Sequence, residues 1–370
     1  MTAMFRVLKG QVLCYRLYDI ADRIDLERAS TLLLADTRRA PFKRAGSEYL
    51  QLANPPLYVS FGRRALALKA GEQDVEVSGH LFDYGAISII VTVPIAQGTD
   101  FESLIPFCDE LYDSPAIEKL CEEVSAQLVK TLGDTLHVAH AWAKNESYAV
   151  IHVTHIEGEP KAQALVAAPE LPRLLLGEVQ ERYLSAAERD DVMSHHFSYT
   201  EADLAVIDWN AAFVYEPSGS MDIPELLEIA NAQLLELRYY DDVLDRALER
   251  VYDAIEAKRA GGTLLRSPYS KMLRELMLTV MELHEFVERV ENSLKIVGDV
   301  YLARVYEESV NQLRIPAWQA LVTRKQKLLV QTYELLKGEV DTRRALTLES
   351  MIVVLIVIEM LLALTSVVRP

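Results

Sequence analysis

Residues 345–368, twenty-four positions between Arg344 and Arg369, constrain this chain more than any other stretch. From Met351 to Ile358 they read Met-Ile-Val-Val-Leu-Ile-Val-Ile, then Glu359, then Met-Leu-Leu-Ala-Leu. A helix of that length spans about 36 Å at 1.5 Å per residue, against roughly 30 Å for a bilayer's hydrocarbon core. The expectation is a C-terminal transmembrane helix carrying everything before it. Glu359 would then lie near the midplane, where a charge costs about 2.5–3.5 kcal/mol. Ile352, Ile356, Glu359, Ala363 and Ser366 share one helical stripe, and Ala363 and Ser366 are small enough to admit another helix. Three readings of Glu359 stay open: a carboxyl pairing between subunits, a protonated acid with no dedicated role, or part of an uninserted helix forming the dry core of an oligomeric bundle.

Six basic residues (Arg324, Lys325, Lys327, Lys337, Arg343, Arg344) oppose three acidic ones over residues 318–344. The positive-inside rule then keeps the bulk of the protein in the cytoplasm, as a single-pass, tail-anchored protein of the cytoplasmic membrane. The N-terminus shows neither a signal-peptide apolar core nor the pattern of a transit peptide. Cys14, Cys108 and Cys121 are odd in number and have no metal spacing, which fits buried thiols in a reducing compartment. A net charge of −17 argues against a nucleic-acid partner, because phosphate binding needs a clustered basic surface.

Within residues 1–216 strand-like runs (11–18, 57–61, 75–94, 148–155, 204–215) interleave with helical ones (25–34, 101–112, 115–132, 171–189). That texture predicts an α+β domain with a mixed or antiparallel sheet. Glu216-Pro217-Ser218-Gly219-Ser220 marks a boundary, and Asp222 with Glu225 opens a helix as a capping box. Leu227, Ala230, Leu234, Leu237, Asp241, Leu244, Leu248, Val251 and Ile255 follow at alternating steps of three and four, a coiled-coil period with Asp241 as a register device in the seam. After Gly261-Gly262 a second stripe runs from Leu273 through Leu294 and Val297 to Tyr301, and a third, Leu321, Leu328 and Leu335, leads to the tail. The expected middle region, residues 217–344, is a long antiparallel helical hairpin, with homo-oligomerisation through residues 222–313 and 318–368.

The stretches Ile229-Ala-Asn-Ala-Gln-Leu-Leu-Glu-Leu-Arg-Tyr-Tyr-Asp-Asp-Val-Leu-Asp245, Asn292 to Tyr306 and Arg343 to Glu359 resemble the "required for meiotic nuclear division" family of membrane proteins, as does the element Phe82-Asp83-Tyr84-Gly85-Ala86. The resemblance implies a C-terminally anchored homo-oligomer, support of organellar translation in mitochondrial members, and no established catalytic residues. Its motif positions here are Asp83, Tyr84, Gly85, Asn231, Gln233, Arg238, Asp242, Asp245, Gly298 and Asp299.

Asn231, Arg238, Asp242 and Asp245 flank the seam, as either an oxygen-rich ligand site or an ion-pair ladder. His152 and His155 fall on opposite faces of one strand, which disfavours zinc. His284 has Met281 three residues earlier, which excludes the Glu-x-x-His signature of carboxylate bundles. No Walker loop, G-x-G-x-x-G, G-x-S-x-G or H-E-x-x-H occurs. The sequence therefore predicts a tail-anchored, homo-oligomeric scaffold with no cofactor, no metal and a lipid bilayer as partner. The alternative is an enzyme or ligand or metal sensor with its site near residues 82–86.

Overall fold

A computed structural model of the chain describes residues 5–33, 38–39, 50–52, 54–180, 184–259, 274–278, 280–281, 294–296 and 299–367. Its elements are β1 (Arg6–Asp19), β2 (Ala21–Ile24), α1 (Leu26–Leu32), β3 (Arg38–Arg39), β4 (Leu50–Leu52), β5 (Leu57–Leu68), β6 (Gly71–Leu81), β7 (Ala86–Pro94), β8 (Thr99–Asp100), α2 (Phe101–Tyr112) and α3 (Pro115–Leu132). Then come β9 (Leu136–Ala139), β10 (Glu146–Ile156), α4 (Ala162–Val166), α5 (Glu170–Leu176), α6 (Ala186–Ser194), β11 (His196–Phe197), β12 (Leu204–Ile207), β13 (Ala211–Tyr215), α7 (Asp222–Arg259), β14 (Leu294–Ile296), α8 (Val300–Gln312) and α9 (Ile315–Val367).

The fold is mixed α+β around one large sheet, ordered β11-β12-β13-β10-β1-β7-β6-β5-β3 with β8 against β1. Every pairing in it is antiparallel except β10 with β13. The alternation of β1 explains why both sheet faces are buried. Val12 and Cys14, with Val91, Val93, Ile151 and Phe213 from the neighbouring strands, meet the apolar sides of α2, α3 and α5. Leu13, Tyr15 and Leu17 point the other way and are buried as well. Asp100 and Ser114 cap α2 and α3 by accepting from Ser103 N and Ile117 N.

Local chemistry divides some runs that read as single elements. Gly177, at φ 63°, closes α5, so the helix expected over 171–189 becomes α5 and α6. The strand expected over 204–215 turns at Asp208-Trp209-Asn210 into the hairpin β12–β13. In the expected second arm of the long hairpin, residues 268–273, 279, 282–293 and 297–298 lie outside the described residues. Leu294–Ile296 pairs as a strand with β4, and Asp299 starts a fresh helix by accepting from Tyr301 N and Leu302 N. The stripe through Leu294 is therefore not one continuous helix.

The chain forms two compact units, residues 1–239 with 288–319 and residues 240–287 with 320–370, so the division falls inside both α7 and α9. In the second unit Leu244, Leu248 and Val251 of α7 are buried, as are Val322, Leu329 and Leu336 of α9. The third stripe is thus displaced by one residue from the expected one, and Leu321, Leu328 and Leu335 are exposed.

The expected membrane anchor is corrected by the structure. Among the described residues no helix is long and apolar enough to cross a membrane. Within the described run, Glu349 and Glu359 interrupt the apolar residues. The transmembrane helix in the fold class, the tail-anchored description and the cytoplasmic-membrane location all lose their basis with it.

Candidate functional site

Residues 226–237 of α7 are buried on every side, although the helix carries Glu228, Asn231, Gln233 and Glu236 there. Burial of that many polar groups demands partners. His80, on the second face of the sheet, has its Nδ1 2.9 Å from both carboxylate oxygens of Glu228. Gln233 Oε1 accepts from Tyr306 Oη of α8 at 2.7 Å, and Asn231 Nδ2 donates to the carbonyl of Leu227. Arg238 pairs with Glu146 at the start of β10 and lies over the Trp318 ring. Burial raises the Glu146 carboxyl and Arg238 draws it back.

The element Phe82-Asp83-Tyr84-Gly85-Ala86 forms the tight connection from β6 to β7. Phe82 N donates to the carbonyl of Ala86 and Gly85 N to that of Phe82. Gly85 has φ +104°, and a β-carbon there would stand 1.6 Å from the carbonyl oxygen of Ala21, so only glycine fits. The turn braces the β1–β2 corner, because Ile20 N donates to the Gly85 carbonyl and Ile24 N to the Asp83 carbonyl. Asn54 Nδ2 donates to Asp83 Oδ2 at 2.7 Å. Tyr84 is buried, and its hydroxyl has no hydrogen-bond partner among the described residues. Burial, then the carboxylates of Glu236 and Asp83, push its pKa well above the ordinary tyrosine range.

The braced corner holds a second polar group. His140 Nε2 lies 3.0 Å from Asp19 Oδ1, and its Nδ1 lies 3.5 Å from Asp22 Oδ1, 3.3 Å from Tyr239 Oη and 3.2 Å from the Val138 carbonyl. The imidazole stacks on Tyr239 at 4.5 Å, and Trp142 meets the same ring edge-on. Burial lowers the His140 pKa, but the hydrogen bonds and charges of Asp19 and Asp22 outweigh it and raise it to about 9. Burial raises Asp19 while His140 lowers it, leaving a net rise. Val138 carries the turn at φ 52°, strained for a β-branched residue. Because both ring nitrogens are engaged, the arrangement holds a charged imidazolium in place and leaves no lone pair free to act as a base.

The remaining positions singled out in the sequence scatter. In the second unit Lys325 Nζ bridges Asp241 and Asp245 at 2.6 Å each, an interhelical ion pair in the seam. Asp242 lies half-buried between them on α7, and Asp299 caps α8. Glu359 is exposed on α9, while the side chains of Ala363 and Ser366 and all of Gly298 lie outside the described residues. His152 is buried with Nε2 near the Ser220 carbonyl, and His155 is exposed on the opposite face. Among the described residues no three His, Cys, Asp or Glu side chains form a metal-holding group. Burial pushes the Cys14 and Cys121 thiols up to about 12, so they are poor nucleophiles. Sequence reasoning missed His80, Glu228 and Asp19, and it weighed His140 only as a metal candidate without its carboxylate partners. The available signal was the run of polar residues at 228–236 inside an otherwise apolar helix.

A groove of ≈740 Å³ opens elsewhere on the first unit, floored by Ile95, Leu104 and Phe107 and rimmed by Lys69, Asp109 and Glu110. Glu110 Oε1 accepts the Lys69 backbone N–H at 2.6 Å.

The family model for the N-terminal domain of "Uncharacterized protein MJ0711" matches residues 9–222. That Methanocaldococcus jannaschii protein is 24% identical over 192 residues, 52% of this chain and 56% of its own length. The chain therefore spans little more than half of that relative. No solved structure matches. The resemblance to the "required for meiotic nuclear division" family is overturned, since the match is to a different family and covers the sheet domain. The stretches behind the earlier resemblance are mostly long helices, where apolar periodicity recurs in unrelated chains.

Proposed function

Given that the chain belongs to the MJ0711 N-terminal domain family, whose description carries no activity, we propose that it is a self-associating structural protein joined to further copies of itself through α9. One observation supports this reading above the rest. Leu346, Leu348, Met351 to Ile358, Met360 and Leu361 are all exposed, Leu355 at 64% and Ile356 at 51%, so the helix is apolar on every side and covered on none. A helix of that kind is stable in water only when something buries it. With Leu321, Leu328 and Leu335 it offers fifteen half-exposed large side chains. At roughly 60–120 Å² per fully buried side chain they amount to about 450–900 Å², at or above what monomers leave open.

A second copy suits this surface for two reasons. An all-round apolar helix is complementary to itself, and the tail has few charges in a chain of net charge −17, so copies repel one another least there. The interface proposed from sequence is narrowed accordingly, because residues 226–237 are already buried within the first unit.

Analytical ultracentrifugation of the full chain, beside a version ending at Arg344, tests the reading. The full chain should sediment as an oligomer at micromolar concentration and the shortened one as a monomer. A monomeric full chain would sink the proposal. A second reading, a carrier or sensor of a small apolar ligand, draws on the ≈740 Å³ groove, a size typical of ligand sites. Thermal-shift screening with Phe107→Arg as control would test it, and no ligand-dependent shift lost in that variant would dismiss it.

A further inference from the structure

We infer that a small polar cavity between the start of β10, the β12–β13 turn and the last turns of α2 and α5 binds a small α-amino acid as its zwitterion. The cavity measures ≈180 Å³, lies wholly within the first unit and shares only Asp109 with the apolar groove. At the roughly 30 Å³ that a water takes in the liquid, it holds about six non-hydrogen atoms, the size of alanine.

Arg16 of β1 lines the cavity and is only 3% exposed. Its Nε donates to Glu118 Oε2 at 2.9 Å, its Nη1 to the Tyr15 carbonyl at 2.9 Å and its Nη2 to the Tyr112 carbonyl at 3.0 Å. A guanidinium has five N–H donors. One on each terminal nitrogen therefore meets no acceptor among the described residues. Donors left over on a buried cation call for an acceptor, and the cavity is where one can sit. Ser147, opposite Arg16 in the sheet, and Asn210 on the β12–β13 turn also line it, and their side chains make no hydrogen bond among the described residues.

The same lining carries acceptors. Asp208 is half-buried and makes no ion pair among the described residues. Burial holds its carboxyl above the usual carboxylate range, although the Trp209 amide and the charge of His195 pull it down. Asp109 and Asp113, both exposed, add two further carboxylates. No three acidic side chains gather as a metal would require among the described residues, so the positive partner they suit is an ammonium. Glu118 already opposes the charge of Arg16, which leaves carboxylates in excess and repels a plain anion. A plain amine, in turn, would leave the two Arg16 N–H groups unmet. A molecule with a carboxylate at one end and an ammonium at the other answers both, and Ala149, Leu175 and Leu176 confine its side chain to a small one.

The test is titration calorimetry of the full chain with L-alanine, glycine and L-serine beside propionate and n-propylamine, which each keep one charged end. At least one of the amino acids should bind with a millimolar or tighter dissociation constant. Propionate and n-propylamine should each bind about tenfold or more weaker, the loss expected for one charged hydrogen-bonded contact. Asp208→Asn keeps the shape of the side chain and should weaken amino-acid binding by about tenfold without lowering the melting temperature. Arg16→Lys should weaken it as well, but Arg16 also holds the end of α2, so Asn210→Ala on the turn serves as the second variant and should weaken binding severalfold. Binding of n-propylamine or propionate as tight as that of the amino acid would overturn the inference. So would the absence of binding by all three amino acids, or unchanged affinity in both Asp208→Asn and Asn210→Ala.

Discussion

The first half of α7 and the tail of α9 are opposites in composition and in fate. Residues 226–237 of α7 include four polar side chains and are buried throughout, whereas the eight residues 351–358 of α9 are all apolar and exposed throughout. Composition alone would assign the two environments the other way round. In the first helix three polar groups meet partners on rigid neighbours, Glu228 on the sheet through His80, Gln233 on α8 through Tyr306 and Arg238 on β10 through Glu146, while Asn231 turns back to the Leu227 carbonyl. In the second, the apolar groups are left exposed among the described residues. The difference teaches that burial follows the availability of a partner rather than composition alone.

The largest effect that would sharpen the contrast belongs to the corner supporting the buried helix. Gly85→Ala places a β-carbon against the Ala21 carbonyl and forces a left-handed backbone on an alanine. Relief requires the β1–β2 segment to move, at a cost of about 4 kcal/mol or more. Urea unfolding followed by circular dichroism should find the variant largely unfolded or severely weakened. A loss below about 1 kcal/mol would show that the turn does not brace the corner.

Next in size is a matched pair of truncations. Glu228→Ala deprives His80 of a two-oxygen partner in a buried setting and should cost about 2–4 kcal/mol of unfolding free energy. Glu359→Ala, at an exposed site, should change the protomer's unfolding by less than about 0.5 kcal/mol. Both can be read from denaturant midpoints at concentrations low enough to hold the protein dissociated. Equal losses would break the comparison.

A third effect depends on pH. His140 has a folded pKa of about 9, above the ordinary histidine value, so its proton is held more firmly in the folded chain than in the unfolded one. That stabilisation is complete below the unfolded pKa near 6.5 and is lost as pH rises from about 6.5 through 9. The melting temperature of the wild type should therefore fall across this window more steeply than that of His140→Gln. Parallel curves would mean that the Asp19–His140–Asp22 group does not titrate as a clamp.

How much of this was legible beforehand depended on the range of the interactions. The bounds of α2 and α3 are local, set by residues three or four apart, and short-range pattern is enough to find them. Asp241 in the seam was visible as a break in periodicity, but its partner Lys325, eighty-four positions later, was not. The same distance hid His80–Glu228 and Asp19–His140. Leu294 to Tyr301 misled because a helical apolar period fits a strand and a capped helix equally well until Leu50–Leu52 is seen beside it. The tail misled in another way, since hydropathy records that a run needs covering and says nothing of what covers it.

The smallest expected effect tests the exposed stripe beside the buried one. Val322, Leu329 and Leu336 are buried in the second unit, while Leu321, Leu328 and Leu335 stand one position earlier in the open. Leu329→Gln should remove packing and leave a polar amide in a buried place, at about 2–4 kcal/mol. Leu328→Gln, at an exposed site, should alter unfolding of the dissociated chain by less than about 0.5 kcal/mol. If this stripe belongs to the surface that joins copies, Leu328→Gln should nevertheless weaken assembly severalfold in sedimentation. An unchanged dissociation constant would confine the interface to residues 346–361, and a large loss of protomer stability would show that Leu328 is covered from within the chain.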